Sequence, residues 1–312
     1  MARVVSDLAE LSGTGAYAVT IGRFDGVHLG HRHLIDQTVA SARGRGLRSL
    51  AITFEPHPEQ VFRPDAPVER LTTAAGKAAL LAASGVDAVA VLPFTLAFSR
   101  QTAEEFIAGL VAATKLQELW IGADFALGYK RQGTAARLTE LGGEHGFTVH
   151  SMERIRLHGT EMISATNIRR HIGAGNVDLA GQLLGRPYAL TGMVVHGAKR
   201  GRLLGYPTAN LDHAPELVVP ALGIYATLVD VPGVVTRHPA MTSVGVRPVF
   251  DNGARQVEAH LLDWSGDLYD RPLTLHFLSW LRPEENFPSV EALIEQMGRD
   301  GDATREVVRR LG

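Results

Sequence analysis

The sequence of 312 residues contains no cysteine, few aromatic residues and no excess of charge of either sign. The absence of cysteine excludes disulfides, Cys-ligated zinc, iron–sulfur clusters and thiol nucleophiles, and it is typical of a reducing compartment. The formal net charge of −2 gives no electrostatic indication of a nucleic-acid or membrane partner. A small phosphate-bearing ligand needs only local positive charge, so the composition remains compatible with one.

Long apolar runs are also missing. No stretch approaches the roughly 18 consecutive apolar residues of a membrane helix, and Asp7 and Glu10 interrupt the segment where a secretory signal would be apolar. We therefore expect a cytoplasmic protein that binds neither membrane nor nucleic acid, and an oligomer is compatible with these properties. The length is sufficient for two domains with separate cores.

In the first half of the chain, short apolar segments alternate with helical patterns. The clearest helical pattern, residues 103–115, begins at a capping box formed by Thr102 and Glu105, and its apolar residues recur four apart. Strands separated by helices of this length favour a parallel α/β sheet that binds ligands at the carboxyl ends of its strands. The predicted strands are Ala16–Ile21, Ser49–Phe54, Asp87–Leu92, Leu119–Gly122 and Phe147–Met152.

The pattern changes after Gly185, where short strands are separated by glycine and proline with few helices between them. This pattern predicts a small antiparallel β-barrel or sandwich, followed by a terminal helix that begins at Ser289. We place the boundary near residues 185–188, which gives domains 1–184 and 185–312. The predicted strands are Ala189–Val195, Ile224–Asp230, Pro239–Val244, Gln256–Asp263 and Leu273–Ser279.

A glycine-rich segment follows the predicted strand Ala16–Ile21 and leads into a helical pattern. Residues 21–31 read Ile-Gly-Arg-Phe-Asp-Gly-Val-His-Leu-Gly-His. Gly22, Gly26 and Gly30 allow the backbone to approach a ligand closely. A helix that starts near Gly30 directs free N–H groups and its positive dipole end toward this loop, which favours a bound phosphate.

Two histidines of this segment, His28 and His31, could flank a triphosphate there. They could donate hydrogen bonds to the charge that develops on the α-phosphate in a transition state. Alternatively, they could be ordinary surface residues, or metal ligands together with His33. The strand–loop–helix context favours the catalytic interpretation.

The pattern Gly-x-Phe-Asp-Gly-x-His at residues 22–28 resembles the prokaryotic bifunctional riboflavin kinase/FMN adenylyltransferases, also called FAD synthetases. Residues 54–58, 121–125 and 163–169 resemble further motifs of that family. The resemblance implies a Rossmann-like nucleotidylyltransferase domain that converts FMN and ATP to FAD and pyrophosphate. It implies nucleotide contacts at Gly22, Phe24, Gly30, Asp124, Ser164, Thr166 and Arg169, and flavin contacts at Phe54, Phe62 and Asp25.

In that family, hydroxyls and an arginine of the third motif hold the phosphates that leave, and an arginine fork matches phosphate geometry. Taken alone, the same residues would be a helix cap followed by a solvated arginine. The sequence departs from the family at three positions in this half. Ala165 replaces a serine, Leu127 replaces a usual aromatic residue, and Arg23 replaces a small or amide residue.

A second signal lies at residues 196–210, which carry glycines, basic residues and the sequence Pro-Thr-Ala-Asn. Such a loop can wrap ATP phosphates with N–H groups and positive charge, although its spacing is not that of a Walker A loop. Thr208 and Asn210 offer two oxygen ligands for Mg²⁺. A plain basic hairpin turn would explain the charges but not the Pro-Thr-Ala-Asn sequence.

This stretch resembles the ATP-binding motif of riboflavin kinases, and residues 223–226, 245–250 and 257–263 resemble its companions, with Val249 in place of threonine. Strand alternation places Glu258 and His260 on one face. A polar residue there is usually only solvated, but the resemblance makes Glu258 the candidate general base. It also implies nucleotide contacts at Gly197, Lys199, Gly201, Arg202 and Gly205.

The leading hypothesis is a two-step enzyme that uses ATP and Mg²⁺ to convert riboflavin to FMN and FMN to FAD. One alternative retains a single activity, most plausibly the kinase, because the departures lie mainly in the first half. Another is a flavin-binding regulator without turnover. The intact residues His28, His31, Thr208, Asn210 and Glu258 argue against the regulator.

Overall fold

The computed structural model describes residues 2–197, 205–246 and 255–311. The chain forms two compact units. The first consists of Met1–Val68 and Thr72–Ser164, and the second of Glu69–Leu71 and Ala165–Gly312. In this division, two helices, Ala165–Gly173 and Val177–Leu184, belong to the second unit, although they precede the predicted boundary at residues 185–188.

The first unit is built on the predicted parallel sheet. Its order is β1-β4-β3-β2-β5-β6, and every neighbouring pair is parallel. The first strand and a short antiparallel hairpin, β7–β8, were not predicted. The strands are β1 Arg3–Val5, β2 Tyr17–Ile21, β3 Arg48–Glu55, β4 Ala88–Pro93, β5 Glu118–Gly122, β6 Thr148–Met152, β7 Arg156–Leu157 and β8 Glu161–Met162. The helices are α1 Leu29–Gly44, α2 Pro58–Phe62, α3 Ala74–Ala82, α4 Ala103–Thr114 and α5 Ala135–His145.

Helices cover both faces of this sheet. One apolar cluster contains residues of α4 and α5, and the other contains residues of α1 and α3. All five residues of β2 are buried, which is the pattern of a parallel strand covered on both sides. The strand order changes direction between β2 and β5, so a crevice opens at the carboxyl ends of these two strands.

The second unit contains a closed antiparallel barrel in the order β10-β13-β12-β11-β14-β9. Strand β10 was not predicted. The barrel core is apolar and includes the fully buried rings of Tyr188, Tyr225 and Phe277. The strands are β9 Tyr188–Val195, β10 Ala209–His213, β11 Gly223–Val231, β12 Val235–Val246, β13 Arg255–Leu261 and β14 Pro272–Arg282. The helices are α6 Ala165–Gly173, α7 Val177–Leu184 and the terminal α8 Val290–Leu311.

Helix α8 begins where the sequence predicts it. The Ser289 hydroxyl accepts a hydrogen bond of 3.2 Å from the Ala292 amide. The helix is fixed to β14 by a buried ion pair, in which Arg282 Nη2 lies 2.7 Å from Asp300 Oδ2. Apolar residues near its start stay exposed, with Val290 51% and Ile294 37% accessible.

Candidate active sites

The loop after β2 is held in an unusual backbone conformation. Phe24 and Val27 both have left-handed φ angles, of 51° and 40°, which cost free energy for residues with side chains. Both side chains are buried in an apolar cluster, and that packing holds the backbone in place. Gly22 leaves room for the Phe24 ring, which would lie 3.0 Å from a Cβ at position 22.

His28 and His31 form a stacked pair at the start of α1. Their ring centroids are 3.6 Å apart and their planes differ by 14°. His28 is also the N-cap of the helix, because its Nδ1 accepts a 3.2 Å hydrogen bond from the His31 amide. A Cβ at Gly30 would lie 3.2 Å from the His28 ring, so a glycine at this position leaves the ring undisturbed.

His31 is held uncharged in the free protein. Burial lowers the pKa of His31 well below 6.5, and electrostatic interaction with His28, Arg23 and Lys77 lowers it further. Its Nδ1 is buried and, within the described part of the chain, has no hydrogen-bond partner. An anionic phosphate at this helix end would supply a partner and favour the protonated imidazole.

Lys77 is a buried cation beneath this loop that sequence reasoning missed. Its Nζ donates to the carbonyl of Phe54 at 2.9 Å and to that of Arg23 at 3.3 Å. The same nitrogen pairs with Glu55 at 2.8 Å. The lysine thereby ties the end of β3 to the loop after β2. The signal in the sequence was a single charge in the otherwise apolar helix α3.

A cavity of about 510 Å³ opens beside this loop in the first unit. Its wall is aromatic, and neighbouring rings meet edge to face at centroid distances of 5.6–6.0 Å. Its rim is polar. A concave apolar wall with a polar rim suits a flat aromatic ligand that carries a charged group. The wall contains Phe54, Phe62, Phe94, Phe98 and Phe106, and the rim contains Arg23, Glu59, Asp124, Lys130 and Arg131.

The predicted residues are distributed around this cavity as follows. Phe54, Phe62 and Asp124 line it, and Leu127 lines it where the family usually has an aromatic ring. Asp25 is not among the described residues of the wall. Its buried carboxylate instead accepts hydrogen bonds from the Thr72 amide at 3.3 Å and from the Thr72 hydroxyl at 3.4 Å.

The third motif of the first half lies around the start of α6. Ile163 would contact a Cβ at Gly30 at 3.7 Å, so the residue next to Ser164 lies beside the histidine loop. Ser164 belongs to the first unit and directly precedes α6. Thr166 and Arg169 lie on α6 itself, which is grouped with the second unit.

The predicted kinase residues of β10 and β13 meet on the barrel. Asn210 lies opposite Glu258 in the strand register, and the Thr208 hydroxyl donates a 3.0 Å hydrogen bond to Glu258 Oε2. Gln256, which sequence reasoning missed, donates from Nε2 to Glu258 Oε1 at 2.5 Å and also to Asn210 Oδ1. Gln256 therefore orients both the candidate base and a candidate metal ligand.

Gly197 makes this arrangement possible, because a Cβ at that position would lie 2.2 Å from the Asn210 side chain. Gly205 has a φ of 82°, a left-handed angle that favours glycine. The other predicted contacts of the basic loop, Lys199, Gly201 and Arg202, lie outside the described residues, as does Val249.

Two cavities flank Pro207 in the second unit, with volumes of about 510 and 440 Å³. They share Pro207, Leu261, Trp264 and Ser265. The larger cavity is lined by Gly197, Thr208, Asn210 and Tyr269, among others. The smaller cavity is lined by Tyr206, His260, Asp263, Met297 and Arg305, among others.

The oxygens of Thr208, Asn210 and Glu258 are hard donors, which suit Mg²⁺ rather than a softer metal. Within residues 2–197, 205–246 and 255–311, no group of three or more histidine, aspartate or glutamate side chains is arranged to hold a metal. Such a cluster is not required, because Mg²⁺ usually takes one or two protein ligands together with substrate phosphates.

Comparison with known proteins agrees with this division of sites. Residues 12–167 match the family model described as FAD synthetase, and residues 184–308 match the model described as riboflavin kinase. No described helix is long and apolar enough to cross a membrane.

Curated relatives match almost the whole chain. A bifunctional riboflavin kinase/FMN adenylyltransferase of Pseudomonas fluorescens is 40% identical, covering 92% of this chain and 91% of its own. The enzyme of the same name from Escherichia coli K12 is 38% identical with the same coverage. A crystal structure from Streptococcus pneumoniae, described as a macrolide-efflux protein, has a TM-score of 0.87 at 31% identity, covering 97% of this chain and 98% of its own. The chain belongs to the bifunctional riboflavin kinase/FMN adenylyltransferase family.

Proposed function

We propose that the second unit phosphorylates riboflavin with Glu258 as the general base. We further propose that the first unit adenylylates the resulting FMN beside the His28–His31 pair. The observation that supports this most directly is the assembly of Thr208, Asn210 and Glu258 into one hydrogen-bonded group. The stacked histidines at the start of α1 form an equally complete group on a different fold.

For adenylylation, we assign the flavin ring to the aromatic cavity of the first unit. A phosphate oxygen of FMN attacks the α-phosphorus of ATP, a new P–O–P bond forms, and the bond to the β-phosphate breaks to release pyrophosphate. The attacking phosphate is already an anion, so no base is needed. The histidine pair and the N–H groups of α1 stabilise the charge that develops on the α-phosphate.

For the kinase reaction, the 5′-hydroxyl of riboflavin attacks the γ-phosphorus of ATP and ADP leaves. Glu258 accepts the hydroxyl proton, while Thr208 and Gln256 hold its carboxylate in place. Thr208 and Asn210 would hold Mg²⁺, which when bound neutralises phosphate charge. Gly197 begins the basic loop and lines the larger cavity, so we assign ATP there and the flavin to the cavity with Tyr206 and Met297.

The direct test is to incubate the pure protein with riboflavin, ATP and Mg²⁺ and to separate FMN from FAD. Both products are expected. FMN alone would leave the kinase as the single activity, and neither product would favour a binding protein without turnover.

Glu258→Gln tests the base, because it keeps the size of the side chain but cannot accept the proton. We expect a fall of about 10²- to 10⁴-fold in FMN formation, the range of general-base contributions, with conversion of supplied FMN to FAD unchanged. FMN formation within threefold of the parent would remove Glu258 from this role and leave substrate positioning as the better account.

A cytoplasmic location and a domain boundary at residues 185–188 also stay predictions.

A further inference from the structure

Arg23 has an anchored backbone and an exposed side chain. It directly follows β2 and Gly22, and its carbonyl accepts hydrogen bonds from the Thr53 hydroxyl at 3.0 Å and from Lys77 at 3.3 Å. Its guanidinium lies on the rim of the aromatic cavity, 62% exposed, and pairs at 3.1 Å with Glu59, which is 58% exposed. An exposed pair of this kind contributes little free energy, so a ligand can replace Glu59.

Arg23 belongs to the loop that leads from β2 to the histidine pair. Its side chain lines the cavity that we assign to the flavin ring. The flavin phosphate has to connect these two places, because it must reach the ATP α-phosphate at the histidine pair. A phosphate dianion offers the guanidinium a bidentate partner that is stronger than a solvated carboxylate.

Lys130, which is also on the rim, lies over the Tyr129 ring at 5.3 Å, and three further cations nearby have polar partners. Arg131 donates to the carbonyl of Asp124 at 3.0 Å, and Arg154 pairs with the Asp124 carboxylate. Lys77 is buried against Glu55. Arg23 differs from Arg154 in that both it and its exposed carboxylate partner, Glu59, line the cavity, where a ligand can replace that carboxylate.

We propose that Arg23 exchanges Glu59 for the phosphate of FMN and thereby selects phosphorylated flavin over flavins without phosphate. This inference rests on the proposed adenylylation of FMN.

Arg23→Gln in the full-length protein is the test, with lumiflavin as a probe that has the flavin ring but neither phosphate nor a ribityl hydroxyl. The KM for FMN in FAD formation should rise by about tenfold or more, as expected for loss of a charge-assisted bidentate contact. The inhibition constant of lumiflavin against FMN and the KM for ATP should stay within about twofold. Far-UV circular dichroism and the melting temperature check the folding of each full-length variant.

Arg63→Gln is the matched control. Arg63 is an exposed cation at the end of the same helix α2 that carries Glu59, and it does not line the cavity. Its removal changes the net charge equally and should leave the KM for FMN unchanged. Glu59→Gln removes the competing carboxylate and should lower the KM for FMN by a few fold.

Three results would overturn the inference. In the first, the KM for ATP rises in Arg23→Gln while that for FMN does not, which would place the guanidinium on ATP. In the second, lumiflavin binding weakens as much as FMN binding, which would indicate a contact to the ring. In the third, Arg63→Gln has the same effect as Arg23→Gln, which would indicate a general field effect. A parent protein that makes no FAD from FMN would overturn the proposed adenylylation itself.

Discussion

The hydrogen bond from the His31 amide to His28 Nδ1 makes His28 a helix cap, a role that can be separated from the catalytic role that we propose for its imidazole. Asparagine is one of the best N-cap residues, so His28→Asn keeps the cap while it removes the imidazole. We expect FAD formation from FMN to fall by about 10²-fold or more, the effect of losing one preorganised donor. The melting temperature and the riboflavin kinase rate should be unchanged.

His28→Ala serves as the comparison for that variant. It loses the imidazole and the cap together, and the cap alone contributes about 1 kcal/mol to stability. If His28→Asn and His28→Ala lower the melting temperature equally, the capping role is wrong. If His28→Asn retains FAD formation close to the parent rate, the catalytic role is wrong.

The lowered pKa of His31 predicts proton uptake when a nucleotide binds. Burial and neighbouring positive charge keep His31 neutral in the free protein at pH 7. A bound polyphosphate favours the charged imidazolium and raises its pKa, so binding near neutral pH should take up a proton. Calorimetric titration with a non-hydrolysable ATP analogue, in two buffers of different ionisation enthalpy, measures that uptake.

The same titration of His31→Gln separates this site from the kinase site, where the analogue also binds. We expect the proton uptake to decrease in this variant by up to one proton per chain.

The lowered pKa of His31 also affects the stability of the folded protein. The unfolded chain binds a proton at His31 below about pH 6.5 while the folded chain does not, so this residue makes the free energy of unfolding smaller as the pH falls through that window.

At the scale of elements, helices α6 and α7 are the part of the chain whose grouping the sequence did not indicate. The residues Val177, Ala180, Leu183 and Leu184 of α7 are buried, and the helix packs against β9 and β14 of the barrel. A boundary placed by the change from helical to strand patterns falls after α7, whereas the packing places α6 and α7 with the barrel. Pattern locates an element, but it does not indicate which neighbour buries that element.

This packing predicts how two truncated proteins should differ. A fragment of residues 165–312 keeps α7, while one of residues 185–312 exposes the apolar surface that α7 covers. Burial of one large aliphatic side chain is worth about 1.5–3 kcal/mol. We therefore expect the shorter fragment to melt at least about 5 °C lower, with riboflavin phosphorylation in both at low temperature. Equal melting temperatures would show that α7 adds nothing to the barrel, and an inactive longer fragment would refute independent folding.

Most other elements follow directly from local chemistry. The capping box of Thr102 and Glu105 starts α4 as predicted. Residues 257, 259 and 261 of β13 are buried, so Glu258 and His260 share the opposite face as predicted. Strand β10 was missed because its five residues closely follow a proline and a basic loop and include none of the β-branched residues that strands favour. Gln256 and Lys77 were missed because their roles depend on contacts between segments distant in sequence, such as the bond from Gln256 to Asn210.

At the scale of the whole molecule, each set of proposed catalytic groups lies on its own fold. His28 and His31 belong to the parallel sheet unit, and Thr208, Asn210 and Glu258 belong to the barrel unit. FMN is the product of one set and the substrate of the other. Either FMN leaves the protein between the two reactions or it passes directly from one site to the next.

Mixing two variants, each of which lacks one of the two activities, distinguishes these routes. The His28→Asn protein should convert riboflavin only to FMN, and the Glu258→Gln protein should make FAD only when FMN is supplied. Because each retains the site that the other has lost, an equimolar mixture should produce FAD from riboflavin if FMN is released into solution. FAD should then appear after a lag, since free FMN must first accumulate, and the lag should shorten as the protein concentration rises.

A trap for free FMN is the second test. If FMN is released, an excess of an apoflavodoxin that binds FMN should suppress FAD formation in the mixture and in the parent alike. Parent FAD formation that resists this trap, while the mixture does not, would show that FMN passes directly between sites and would refute release.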